Sequence, residues 1–269
     1  MSHVDTETAT IASLQQRGVV AVMRAPDPEL VVTAGRALAD GGVTAIEVTY
    51  TVPRAAEAIA ALAEDPRLLV GAGTIETAEQ AREALAAGAR YLVSPHRCDA
   101  AIDVAAEAGL PAIPGVWTPT EVAVAAERCR LLKLFPATIG GVDLLKVLCA
   151  PFPRIAFMPS GGVTADNLGD WLAAGATCVG AGGDLAPADA IMRGDADELT
   201  RRARRWSDAL AAARERSGAG TGSATTASAG AGGGASTDPA TAASGGRGDG
   251  AATADPLPGA HGAEPADGA

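Results

Sequence analysis

Between Val19 and Glu215 the sequence repeats one pattern eight times. A short apolar run with strand character is followed by a longer, Ala-rich amphipathic segment with helical period. The strand-like runs are 19–24, 45–50, 68–72, 91–94, 112–114, 130–136, 155–158 and 178–181. The helical segments between them cover 53–64, 77–87, 99–108, 119–126, 142–149 and 165–174, with closing helices up to about Glu215. Pro28 opens another, which ends at the Gly41-Gly42 turn, and a further helix over 6–16 precedes the first run. Strands alternating with helices at this spacing make a parallel sheet, either open or closed. No G-x-G-x-x-G opens the first helix, and eight units match closure. The expected fold is therefore α/β, a single (β/α)8 TIM barrel with an N-terminal helix.

Composition sets the limits of that domain. From Ser217 to Ala269 the chain is Gly, Ala, Ser, Thr, Pro and a few acids, with almost no large apolar residue. Such a segment cannot bury enough surface to offset chain entropy, so 217–269 is expected to be a disordered tail and 1–216 the barrel. A net charge of -11 without a basic stripe argues against nucleic-acid binding. Cys98, Cys129, Cys149 and Cys178 have neither CxxC nor metal-ligand spacing, and no run approaches membrane-spanning length. No signal peptide is visible at the N-terminus. The expectation is a cytoplasmic protein with no metal and no membrane partner.

In barrels of this kind the chemistry sits at the C-terminal strand ends. Here those ends carry Arg24, Glu47 with Thr49, Thr74, Ser94-Pro95, Lys133 with Phe135, Ser160-Gly161-Gly162, and Gly182-Gly183. The chain has only two lysines, Lys133 and Lys146, and Lys133 lies in the apolar run Leu131-Leu132-Lys133-Leu134. Burial makes an amine shed its proton more easily, and a neutral amine is a nucleophile. Period-two alternation puts Ala45, Glu47 and Thr49 on one strand face and Leu131, Lys133 and Phe135 on another. If Ile46, Val48, Leu132 and Leu134 pack on the outer helices, Glu47 and Lys133 both point inward. That pair suits amine and proton-transfer chemistry; it equally suits a structural ion pair. The glycine loops suit phosphate, because backbone N–H groups can approach an anion closely, although glycines also make tight turns. His96 and Trp117 could wall the site, and Lys146 reads as a surface residue.

The blocks Ile46-Glu47-Val48-Thr49, Gly71-Ala72-Gly73-Thr74, Ser94-Pro95, Pro114-Gly115, Thr118-Pro119-x-Glu121, Lys133-x-Phe135-Pro136-Ala137 and Pro159-Ser160-Gly161-Gly162 occur in this order. Together they resemble the class I KDPG/KHG aldolases, over roughly residues 8–212. The resemblance implies a barrel, usually a homotrimer, that cleaves 2-oxo acids without metal or other cofactor. By position, Lys133 would form a Schiff base and Glu47 would move protons. Arg24, Thr49, Thr74, Pro95 and Phe135 would hold the 2-oxo acid, and Ser160, Gly161, Gly162, Gly182 and Gly183 the phosphate end. The implied substrate is 2-dehydro-3-deoxy-6-phosphogluconate, with its galactonate epimer and 4-hydroxy-2-oxoglutarate as alternatives. A phosphate-binding isomerase or epimerase, or a non-catalytic metabolite-binding barrel, would share the loops but not need Lys133. Three positions depart from the pattern. Thr51 stands where some members carry an arginine, Gly183 where some carry a serine, and Asp184 would be unfavourable beside phosphate unless it points away.

Overall fold

The structure, a computed structural model, describes residues 3–222. They belong to one compact unit, Met1–Thr226; a second, Ala227–Ala269, lies outside the described residues, as does most of the expected tail. The elements follow the expected alternation: α1 (His3–Arg17), β1 (Val19–Met23), α2 (Pro28–Asp40), β2 (Ala45–Thr49), α3 (Ala55–Ala63), β3 (Leu69–Gly73), α4 (Ala78–Ala86), β4 (Leu92–Val93), α5 (Asp99–Glu107), β5 (Ala112–Ile113), β6 (Gly115–Val116), α6 (Pro119–Ala126), β7 (Leu131–Leu134), α7 (Gly141–Cys149), β8 (Ala156–Pro159), α8 (Leu168–Ala173), β9 (Val179–Ala181), α9 (Ala188–Met192) and α10 (Ala196–Gly222). Several helix starts are written locally. Asp27 caps α2 ahead of Pro28, and Thr77/Gln80 and Thr118/Glu121 form capping boxes on α4 and α6.

Every strand pairing is parallel. One sheet runs β5-β4-β3-β2-β1-β9, the other β6-β7-β8, and an isolated bridge pairs Ser160 with Gly180. Two details differ from the sequence expectation. The fifth run, expected as one strand over 112–114, stops at Ile113 as β5, and a further strand not expected from the sequence, β6, begins beyond Pro114. A proline has no N–H to donate to a ladder, and the Pro114 carbonyl instead accepts from Lys133 N–H at 2.9 Å. The last helix continues to Gly222, past the boundary expected at residue 216. Extending an existing helix needs no new nucleus, so Ala and Gly can follow the 196–216 segment in helical form.

The core is in two parts. Ile46, Val48, Leu132, Leu134, Phe157 and Val179 pack outward with the helices. Val20, Ala45, Tyr91, Val93, Ile113, Leu131 and Met158 form a separate inner cluster, closed below by Leu14 of α1. Alternation therefore turns the odd-numbered residues of β2 and β7 inward. None of the described helices is long and apolar enough to cross a membrane.

Candidate active site

Lys133 is the third residue of β7, between the outward-packed Leu132 and Leu134. It is 4% exposed, and its Nζ lies 3.6 Å from Oε1 of Glu47, which is 0% exposed. That separation is a close ion pair rather than a tight hydrogen bond. Neither Glu47 oxygen has a hydrogen-bond partner among the described residues. Buried carboxylates are normally well bonded. This one keeps its acceptor capacity beside a buried amine, as a proton-transferring group needs. Nζ also lies 5.2 Å from the centroid of the Phe135 ring, within cation–π range.

The space for Glu47 comes from β3. Gly73 pairs with Thr49, and a Cβ at Gly73 would overlap the Glu47 carboxylate; one at Gly71 would overlap the Tyr91 ring. Tyr91 fills the floor beneath and donates its hydroxyl to Ile46 O at 2.8 Å. Burial first, and then the Glu47 charge, hold its phenol well above the usual range. Neither glycine was singled out from the sequence for this purpose. The signal was present in the alternation of Leu69, Gly71 and Gly73 on one strand face.

The remaining expected residues divide by location. A cavity of about 350 Å³ is lined by Arg24, Lys133, Phe135, Ser160, Gly161, Gly162, Gly182 and Gly183, together with Val22, Val163, Thr164 and Asp184. Gly161 and Gly162 have φ of +95° and +73°, which disfavour any other residue, whereas a Cβ at Gly182 or Gly183 would meet open space. Pro95 lines a different cavity of about 250 Å³, with His96 and Trp117, and Phe135 is the wall common to both. Thr49 is fully buried and donates to Met23 O at 3.0 Å, and its hydroxyl lies 2.7 Å from that of Thr51. Thr74 follows Gly73 with φ +57°, left-handed for a non-glycine residue. Neither threonine lines either cavity.

A lysine that opens onto two glycine loops, with a fully buried carboxylate beside it that does not itself line the cavity, is a pattern that known proteins can be compared with. Residues 10–202 match the family model for KDPG and KHG aldolase. The chain belongs to the KDPG and KHG aldolase family. The 2-dehydro-3-deoxy-phosphogluconate aldolase of Dickeya dadantii is 39% identical over 180 residues, covering 65% of this chain and 84% of that protein. The KHG/KDPG aldolase of Escherichia coli is 36% identical over 202 residues, 74% of this chain and 94% of its own. Among solved structures, KDPG aldolase from Legionella pneumophila, with pyruvate captured at low pH as a covalent carbinolamine intermediate, superposes with a TM-score of 0.67. It is 29% identical, over 76% of this chain and 97% of that one.

Against that family background, the departures of this aldolase acquire positions. The Thr51 hydroxyl is engaged with Thr49. Gly183 opens onto the cavity. Asp184 lines it too, but its Oδ2 accepts from Trp206 Nε1 at 2.9 Å and from Ala165 N–H at 3.2 Å. His96 is exposed, and Trp117 donates its indole N–H to Ile139 O at 3.1 Å.

Proposed function

We propose that this protein is a Schiff-base (class I) aldolase that cleaves 2-dehydro-3-deoxy-6-phosphogluconate to pyruvate and D-glyceraldehyde 3-phosphate. The observation that carries the reading is the buried Lys133–Glu47 pair, 3.6 Å apart, whose lysine opens onto the glycine-lined cavity. The names of the Dickeya and Escherichia relatives, and the pyruvate carbinolamine captured on the Legionella enzyme, support it. A purely structural pair would have its buried carboxylate hydrogen-bonded, as Glu47 is not, and an isomerase would need the carboxylate but not the amine.

In the proposed reaction the neutral Lys133 amine adds to the C2 carbonyl, giving a carbinolamine that loses water to a protonated imine. The imine accepts the electron pair of the C3–C4 bond. As that bond breaks, the C4 hydroxyl gives its proton to Glu47 and the aldehyde leaves. Glu47 returns the proton to C3 of the resulting enamine, and hydrolysis frees pyruvate and Lys133. Phe135 packs beside the imine. Ser160, Gly161, Gly162, Gly182 and Gly183 receive the phosphate, largely through backbone N–H groups. Arg24, Thr49, Thr74 and Pro95 complete the binding set. We further propose that the two sheets close as one eight-stranded barrel, for which the Ser160–Gly180 bridge and the one-residue gap at Pro114 speak. The assembly proposed is a cytoplasmic homotrimer, and the same site would accept 4-hydroxy-2-oxoglutarate.

The test is to incubate the protein with pyruvate, reduce with borohydride, and weigh the peptide that contains Lys133. A reduced pyruvyl adduct on Lys133 is expected; a folded, pyruvate-exposed protein without one refutes the reading. Comparing kcat/KM for the gluconate and galactonate epimers and for 4-hydroxy-2-oxoglutarate then assigns the preferred acid.

A further inference from the structure

Asp184 presents an electrostatic puzzle. It lies one residue beyond Gly183, on the rim of the cavity proposed for phosphate, where a carboxylate opposes an anion. Its bonds suggest why such a residue stands there. One carboxylate oxygen, Oδ2, accepts from the Ala165 amide, just after the Ser160–Thr164 loop, and from the indole N–H of Trp206 on α10. Arg202, four residues before Trp206 on the same helix face, donates Nη1 to the Asp184 carbonyl at 2.8 Å. Arg205 donates to both oxygens of Asp166, in the β8–α8 connection, at 2.7 Å. The loops after β8 and β9 are thus joined to each other through one carboxylate oxygen and fastened to one face of α10. Trp206 is 0% exposed, so the helix end of the clasp is fixed by packing.

We propose that Asp184 and Trp206 are positioning residues for the anion site. Their clasp sets the spacing of Gly161-Gly162 against Gly182-Gly183, so that backbone N–H groups from both loops converge on one phosphate. This rests on the aldolase reading only for the identity of the phosphorylated ligand. The geometry makes it distinguishable from a charge effect by sign. If Asp184 acted on the phosphate through its charge alone, removing that charge would tighten binding; if it acts as a clasp, removal loosens binding.

The experiment compares wild type, Trp206→Phe, which keeps a buried ring but loses the donor, and Asp184→Ala. Three quantities are measured: Kd for inorganic phosphate by calorimetry, KM for 2-dehydro-3-deoxy-6-phosphogluconate, and the rate of borohydride trapping with pyruvate, which carries no phosphate. Both variants should raise Kd and KM on the order of tenfold, the loss of a hydrogen bond to a charged acceptor, while trapping keeps its wild-type rate. Unchanged or tighter phosphate binding overturns the proposal. So does an equal loss of phosphate binding and trapping, which would mark a general structural role. Should Asp184→Ala fail to fold, Trp206→Phe is read beside Asp184→Asn, which removes the charge but keeps an oxygen acceptor: looser phosphate binding in the first without tighter binding in the second supports the clasp, and tighter binding in the second overturns it. A wild type that binds phosphate but traps no pyruvate counts against the aldolase reading, and the phosphate Kd series still tests the clasp.

Discussion

Replacing Gly73 by alanine tests whether β3 exists in this form to seat Glu47. A Cβ there would overlap Oε1 of Glu47 and stand 2.7 Å from both Cδ and Cγ. Gly73 is not among the residues with positive φ, so alanine adds volume without backbone strain. The carboxyl group has to withdraw by on the order of 1 Å within a site where it is 0% exposed and faces Lys133. Misplacing a reacting group by that much lowers a rate by about 100-fold, equivalent to about 2.7 kcal/mol of activation free energy. Overpacking should also destabilise the fold by about 1–3 kcal/mol, so the variant needs to be shown folded by urea denaturation. The assay pairs kcat on 2-dehydro-3-deoxy-6-phosphogluconate with borohydride trapping of pyruvate. kcat should fall about 100-fold and trapping should slow less, because Lys133 itself stays in place. A folded Gly73→Ala protein with kcat within threefold of wild type would refute the argument that this glycine makes room for the proton carrier.

Two other outcomes follow from burial and charge. Lys133→Met should abolish trapping and destabilise the protein by about 3 kcal/mol, because it strands a buried carboxylate without its cation; adding Glu47→Gln should recover part of that loss. Urea titrations of the two variants check this, and a Lys133→Met protein as stable as wild type would contradict it. At the surface, Arg67 hydrogen bonds first, and then the Arg67 charge, hold the Asp65 carboxyl down at about 2, below its ordinary 3.8. A folded pKa below the unfolded one gives stability that is present above pH 4 and lost as pH falls towards 2. The melting-temperature difference between wild type and Asp65→Asn should therefore be present at pH 7 and close near pH 2; a difference that persists there excludes this cause.

The parts of the site carried by strand alternation were legible in the sequence. Glu47 and Lys133 lie at inward positions of runs whose outward residues, Ile46, Val48, Leu132 and Leu134, are apolar, and period two is enough to turn both inward. The glycines of β3 were not legible as a seat for Glu47, because a glycine in sequence reads as a turn or a bend; its neighbour across the sheet is a register fact. Tyr91 was equally opaque, since its partner Ile46 O is 45 residues away. The resemblance places Pro95 with the residues that hold the 2-oxo acid, and it lines the cavity on the other side of Phe135. The end of β5 before Pro114 follows from a missing N–H and could have been read locally. The Asp184–Trp206 clasp could not, because it depends on where α10 docks.

The same register facts bear on how the substrate carboxylate is held. Thr51 occupies the position at which some family members carry an arginine, and a hydroxyl looks like a smaller replacement donor. Its bonding argues otherwise. Thr49 has one hydroxyl proton and gives it to Met23 O, so in the 2.7 Å contact between the two threonines Thr51 must be the donor. The Thr51 proton is therefore committed, and only its lone pairs face outward, the wrong polarity for a carboxylate. Arg54, further along the same loop, is turned to Glu57 at 2.8 Å and towards Asp27 at 4.0 Å. Of the residues lining the catalytic cavity, Arg24 and Lys133 are the cations. In the proposed reaction Lys133 becomes a protonated imine at C2, and its charge then sits next to the C1 carboxylate and attracts it without any arginine. The reaction thus supplies part of the carboxylate's counter-charge itself. Arg24 is then the one remaining cation on that cavity, as the binding role proposed for it requires.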